Sequence, residues 1–112
     1  MTNKPWTLRY FTYDHLPAGP LRDCSERFSI AASICWPKDL DELPLSPVPT
    51  YYNLKLWMIE NLPKNKERTK AIKKLFKSLI AFENGDMSKA CRLLLESKDC
   101  AVRSLLPVSQ KT

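Results

Sequence analysis

Apolar residues recur at helical spacing in four segments of the chain, and this pattern predicts four helices. The first helix is predicted over residues 20–36. Pro20 suits its first turn, where a backbone N–H would have no partner, and Pro37 follows its end. Its apolar positions are Leu21, Cys24, Phe28, Ala31, Ala32 and Cys35. The second helix is predicted over residues 50–62, with Thr50 as N-cap and Pro63 after its end. Its inward-facing residues are Leu54, Trp57, Met58 and Leu62.

The last two helices are predicted to form an antiparallel hairpin over residues 65–106. Asn65 is the expected N-cap of the third helix, which runs to about residue 83. Its apolar face is expected to contain Ile72, Leu75, Phe76, Leu79 and Phe82. Asn84, Gly85 and Asp86 then supply a helix stop, a glycine able to adopt positive φ and a new N-cap. The fourth helix, from about residue 87 to 106, is apolar over a broad arc, so we expect the first two helices or a second subunit to cover it.

The remaining segments lack helical periodicity. Residues 1–19 alternate aromatic residues with threonines and are expected to form an extended arm. Prolines at 37, 44, 47 and 49 predict a loop over residues 37–49, and residues 107–112 are expected to form a tail. The sequence therefore predicts an all-α fold with one domain, residues 1–112, in which a short extended N-terminal arm precedes the helices.

Composition limits the protein classes that this chain can belong to. No apolar run reaches the roughly 20 residues that span a bilayer, and the first residues lack the apolar stretch of a signal peptide. We therefore expect no membrane partner and a cytoplasmic location. The four cysteines have neither zinc-site nor redox-motif spacing, so we expect small buried thiols and no cofactor. The net charge of +6 favours phosphate-bearing or acidic partners.

The charge is concentrated at the start of the third helix. Residues 64–77 hold seven basic residues and one acidic residue, a net charge of +6 that equals the net charge of the whole chain. Lysines at positions i, i+4, i+7 and i+11 are expected to share one helical face: Lys66, Lys70, Lys73 and Lys77. This lysine stripe is either a solvated surface or a phosphate-binding site, and Arg68 is placed to bind a phosphate through two hydrogen bonds.

Catalysis has little support in the sequence. His15 is the only histidine, and a capping or surface role is expected for it. The acidic residues Asp39, Asp41 and Glu42 lack a histidine partner, so no metal site is predicted. With only two glycines there is no phosphate-binding glycine loop. We therefore expect that the protein is not an enzyme, and we consider Tyr13, beside polar residues, the best aromatic candidate for a ligand.

Three short stretches resemble a known family. Residues 11–17 are similar to an "F-x-Y-x-x-L" opening, residues 62–75 to an "LP-x-N-x-ERT-x-AL-x-KL" helix start, and residues 95–103 to "LEAKDAAVR". In this order they resemble the helical-hairpin nucleotide sponges, small phage anti-defence proteins that counter CBASS and Thoeris immunity. The resemblance covers about a third of the chain. Here a stretch that includes the Gly85 turn separates the last two matches, and the proline-rich segment lies outside the pattern, so the ligand's identity is not carried over.

The resemblance implies a function without chemistry. Members of the family assemble into oligomers and sequester cyclic nucleotide signals, so it implies a cyclic nucleotide or other phosphate-bearing small molecule and a homo-oligomer. By matching position, Tyr13 resembles the base-stacking aromatic residue of the family, and Arg68 and Thr69 resemble its phosphate-binding polar pair. Arg103, in the last match, joins the four lysines of the stripe as a candidate ligand-binding residue.

Two alternatives stay open. Broad apolar faces fit a helical inhibitor or adaptor that binds a host protein. The lysine stripe also fits a small basic protein that binds nucleic acid through its phosphates. Such a protein would lose affinity steeply as salt is added.

Overall fold

Four helices make up most of residues 18–35 and 47–106, which are the part of the chain that the computed structural model describes. They are α1 (Pro20–Cys35), α2 (Pro47–Asn61), α3 (Lys66–Glu83) and α4 (Met87–Leu105). No strand occurs within these residues. The predicted all-α fold is confirmed, whereas the arm, most of the proline-rich loop and the tail lie outside the described residues.

The predicted antiparallel hairpin is confirmed, and its turn has the expected chemistry. Gly85 has a φ of 83°, which favours glycine, and its N–H donates to Phe82 O. The Asp86 N–H donates to Ala81 O, which completes a Schellman motif at the end of α3. Asp86 then caps α4, since its side chain accepts a hydrogen bond from Lys89 N. At the other end of the hairpin, Asn65 caps α3 as predicted.

The prediction that α2 begins after a Thr50 cap is wrong. The helix begins at Pro47 and includes Pro49, so these two prolines belong to the helix and not to the loop. Both lie in the first turn, where backbone N–H groups have no intrahelical partner, and proline therefore removes no hydrogen bond there.

The helices pack in a ring in which each contacts its neighbours in sequence and α1 also contacts α4. Helix α1 therefore packs on α4, whereas α2 packs mainly on α1 and α3, so the expectation that the first two helices cover the apolar arc of α4 holds for α1. Buried residues of all four helices form one core, and its largest fully buried side chains include Phe28, Met58 and Leu94. Within it, Leu54 and Leu62 are buried as predicted, and Trp57 is partly buried.

One residue assigned to the core faces solvent instead. Phe76 is 61% exposed, although Leu75 and Phe82 of the same predicted face are buried. The side of α3 that packs on α4 carries the small residues Ala71 and Ser78. Phe76 lies instead on the side near α2. Ser78 Oγ donates to Ala90 O (2.6 Å) and Ser97 Oγ donates to Ala71 O (2.7 Å) across this contact. Satisfied in this way, both hydroxyls are stable in the core.

Candidate anion-binding surface

The four lysines of the predicted stripe are all exposed along α3. Lys66 and Lys77 at its ends are about 16 Å apart along the axis, at 1.5 Å per residue. Lys70 Nζ lies 3.7 Å from Glu67 Oε1. Within the described residues, no carboxylate lies within ion-pair distance of Lys66, Lys73 or Lys77. The stripe is therefore a largely uncompensated positive surface.

The stripe runs into an open groove near the turn of the hairpin, which we call the tip groove. It has a volume of about 480 Å³. Its lining combines basic, amide, acidic and apolar side chains: Lys74, Lys77, Ile80, Ala81, Asn84, Asp86, Lys89 and Leu93. Its volume lies in the range of small-molecule sites, but its lining is more polar than is usual for them.

The three lysines of the tip groove differ in what surrounds them. Lys74 Nζ donates to Glu96 Oε1 at 2.7 Å, so its charge is already compensated. Among the described residues, no carboxylate lies within ion-pair distance of Lys77 or Lys89. The carboxylate of Asp86 is used locally, because its Oδ1 accepts the backbone N–H of Lys89 at 3.1 Å. Lys77 and Lys89 are thus the lysines best placed to bind an anion.

The turn chemistry explains why these residues meet. The Schellman motif reverses the chain within a few residues, so the first turn of α4 lies beside the last turns of α3. Lys89 stands three residues after the Asp86 cap and reaches the same groove as Lys77. Lys74, Asn84 and Lys89 are not among the site residues predicted from the sequence, although the predicted turn and the predicted cap at Asp86 are the features that bring Lys89 beside α3.

Arg68 and Thr69, at the start of α3, contact the protein itself. Arg68 Nη1 donates to Ile59 O (3.2 Å), and Arg68 N donates to Asn65 Oδ1 (3.0 Å). Thr69 Oγ1 donates to Asn65 O (3.3 Å). The bond to Ile59 O links α3 to the end of α2, and the two bonds to Asn65 lie within the N-terminal turn of α3. The role of Arg68 and Thr69 as phosphate ligands stays a prediction, and the helix places them about 12–14 Å along its axis from Lys77.

Arg103 lies across the hairpin from the start of α3. Its Nε donates to Glu67 Oε2 at 2.7 Å, and its Nη2 contacts Cys100 Sγ at 3.1 Å. The hydrogen bond to Glu67 raises the pKa of Arg103 above its ordinary value. Arg103 and Arg68 therefore lie at the open end of the hairpin, away from the tip groove, and ligand binding by Arg103 stays a prediction. Tyr13 lies outside the described residues.

The cysteines follow the prediction of small buried thiols where they are described. Cys24, Cys91 and Cys100 are buried and form no disulfide. Burial raises the pKa of Cys24 to about 12 and that of Cys91 to about 11, and it also raises the pKa of Cys100. Because the reactive form of cysteine is the thiolate, these three side chains are poor nucleophiles at neutral pH.

No family model, curated protein or solved structure matches the chain. Within residues 18–35 and 47–106, none of the helices combines the length and the apolar character needed to cross a bilayer.

Proposed function

We propose that the protein binds a phosphate-bearing small molecule in the tip groove without converting it. The observation that carries this proposal is the pair Lys77 and Lys89, two lysines in one groove with no carboxylate at ion-pair distance among the described residues. Two ammonium groups on opposite helices fit a ligand with more than one negatively charged oxygen, because lysine binds phosphate as a point charge.

The other groups of the groove suit the rest of such a ligand. Asn84 can donate and accept hydrogen bonds, as sugars and nucleobases require. Ile80 and Leu93 supply apolar surface for a flat ring. The resemblance to the helical-hairpin sponges suggests a cyclic nucleotide immune signal as the ligand and phage anti-defence by sequestration as the role, whereas the positions matched to the family's phosphate-binding pair, Arg68 and Thr69, do not line the tip groove. It also suggests assembly into a homo-oligomer, which a solution mass measurement would test.

Isothermal titration calorimetry against a panel of cyclic mono-, di- and trinucleotides and cyclic ADP-ribose isomers tests the proposal. We expect one class of ligand to bind, and Lys89→Ala to weaken its binding about tenfold, as loss of one hydrogen bond to a charged group would. Lys64→Ala is the matched control, because Lys64 is also exposed but lies just before the start of α3, away from the tip groove. Chromatography of the released ligand should recover it intact.

Two results would contradict this proposal. If no compound in the panel gives a heat of binding, the proposal that the protein binds one of these small molecules is contradicted. Equal losses of affinity in Lys89→Ala and Lys64→Ala would show that general charge, and not the tip groove, attracts the ligand.

The linear form of the lysine stripe favours a second candidate, binding to a nucleic-acid backbone. Lys66, Lys70, Lys73 and Lys77 follow one another at about 4.5–6 Å along the axis, which suits a row of phosphates better than one compact ligand. We expect such binding to weaken steeply between 50 and 200 mM salt. An electrophoretic mobility shift that is unchanged over this range would argue against it.

A further inference from the structure

Helix α2 is apolar on its outer face as well as on its inner face. Its inner face contributes the buried residues Pro47, Tyr51, Leu54 and Met58 to the core. Its outer face carries a second apolar row at positions i, i+4, i+8 and i+11: Val48, Tyr52, Leu56 and Ile59, which are 45%, 56%, 38% and 42% exposed. A row at this spacing follows one side of the helix for about 16 Å, or three turns.

Val48 and Tyr52, the first two residues of the outer row, line an apolar groove between α2 and α3 that is distinct from the tip groove. This α2–α3 groove has a volume of about 180 Å³. Exposed Tyr52 and Phe76 line it from the two helices, and the buried residues Tyr51 and Leu75 also line it. The Tyr51 hydroxyl lies 2.7 Å from Ser78 Oγ, so that ring is anchored to α3. An apolar groove with an anchored ring is a preformed site for apolar side chains.

Positive charge accompanies the α2–α3 groove. Lys55 lines it, and Lys73 stands one turn before Phe76 on the surface of α3. Both are exposed, and no carboxylate among the described residues lies within ion-pair distance of either. A partner for this surface must therefore combine apolar anchors with negative charge.

We infer that the α2–α3 groove binds an acidic amphipathic helix of another protein. Its apolar residues, at helical spacing, would lie along the outer row of α2 and insert beside Phe76, which is the helix-in-groove mode of recognition. Its carboxylates would face Lys55 and Lys73. A second copy of this chain fits less well, because a two-fold interface would bring these lysines near their counterparts on a chain whose net charge is +6.

Peptide selection on the full chain tests this inference. The library consists of helical peptides with fixed leucines at i, i+4, i+7 and i+11 and with Glu, Lys, Gln and Ala mixed equally elsewhere. Selection uses the unaltered protein, with counter-selection on Phe76→Glu. We expect the enriched peptides to be acidic, and fluorescence anisotropy to show at least tenfold weaker binding to Phe76→Glu. Because Phe76 is exposed, this variant should keep its helical circular dichroism.

Two further variants distinguish recognition of the peptide's charge from non-specific binding to exposed apolar residues. Lys73→Glu should weaken the acidic peptides about threefold or more and should enrich basic peptides when the selection is repeated on it. Ile30→Glu, which alters an exposed apolar residue on α1, should change nothing. Lys89→Ala should bind the peptides normally, so failure of the small-molecule proposal and failure of this one are distinguishable.

Three outcomes would overturn the inference. One is a selection that yields no peptide, or yields peptides without acidic excess. Another is unchanged peptide binding to Phe76→Glu. The third is a dimer, measured by light scattering, that Phe76→Glu converts to monomer, because a second copy would then occupy the groove.

Discussion

The two ends of the α3–α4 hairpin both carry cations, but the surroundings of those cations differ. At the open end, Arg103 donates to Glu67 at 2.7 Å, and Arg68 donates to a backbone carbonyl at 3.2 Å. At the turn, Lys77 and Lys89 share the tip groove, where no carboxylate of the described residues is within ion-pair distance of them. The contacts of a cation, more than its charge, therefore decide whether it is available to bind an external anion.

Paired substitutions at the two ends test this comparison most strongly. We expect Lys77→Ala/Lys89→Ala to weaken cyclic nucleotide binding by about tenfold to a hundredfold, because each hydrogen bond to a charged group contributes about 1.5–3 kcal/mol before solvent screening. Lys66→Ala/Lys70→Ala removes the same charge from the other end of the stripe and should change affinity less than about threefold by calorimetry. Equal losses in the two pairs would mean that the stripe acts as a whole, as expected for nucleic acid.

The open end should contribute more to stability than the turn. Asn65→Ala removes the cap of α3, in which Oδ1 accepts Arg68 N at 3.0 Å, and it also removes the bond from Nδ2 to Ser104 O at 3.2 Å. We expect a loss of about 1–2 kcal/mol in the free energy of unfolding, measured with urea. Asn65→Asp keeps the cap and loses only the second bond, so it should fall between wild type and Asn65→Ala. A loss no larger for Asn65→Ala than for Asn65→Asp would show that the cap contributes little.

The ion pair at the open end should have a smaller effect. Glu67→Gln removes the charge that Arg103 faces, and we expect about 0.5–1 kcal/mol lower stability, since Arg103 is partly exposed. The loss should shrink as salt is added, because salt screens the pair in the wild type. Nucleotide affinity should stay unchanged. If Glu67→Gln instead tightens binding, Arg103 is a ligand-binding residue, as the sequence resemblance predicted.

The parts of the fold that depend on local chemistry could be predicted from the sequence. The caps at Asn65 and Asp86 and the positive φ of Gly85 need only a few neighbouring residues, and all three are confirmed. The predicted start of α2 was wrong because prolines are compatible both with a loop and with the first turn of a helix. The prediction that Phe76 is buried was wrong because several adjacent stripes of α3 are apolar. Which of these stripes is buried depends on where α2 packs, and the sequence pattern of α3 does not contain that information.

The candidate site was less predictable than the fold. The exposure of the lysine stripe follows from its spacing, but the tip groove depends on how closely α4 returns along α3. That approach depends on Ser78 and Ser97, which are polar in the sequence pattern but buried because each donates to a carbonyl of the other helix. Lys89 consequently belongs to the groove although it is distant from Lys77 in sequence.

The smallest expected effect comes from removing the charge of Asp86, the one acidic residue among those that line the tip groove. Asp86→Asn keeps an N-cap of similar strength, because asparagine also accepts the hydrogen bond that Asp86 Oδ1 accepts from Lys89 N. Stability should therefore change little, whereas removal of the carboxylate should tighten cyclic nucleotide binding about twofold to threefold. Asp23→Asn on α1 is the control for charge alone, and it should leave the affinity unchanged. Calorimetry at low salt would measure both variants. Weaker binding to Asp86→Asn would mean that the carboxylate itself contacts the ligand. The tip groove would then differ from the open end in offering a hydrogen-bond acceptor to the ligand as well as lysines without an ion-pair partner.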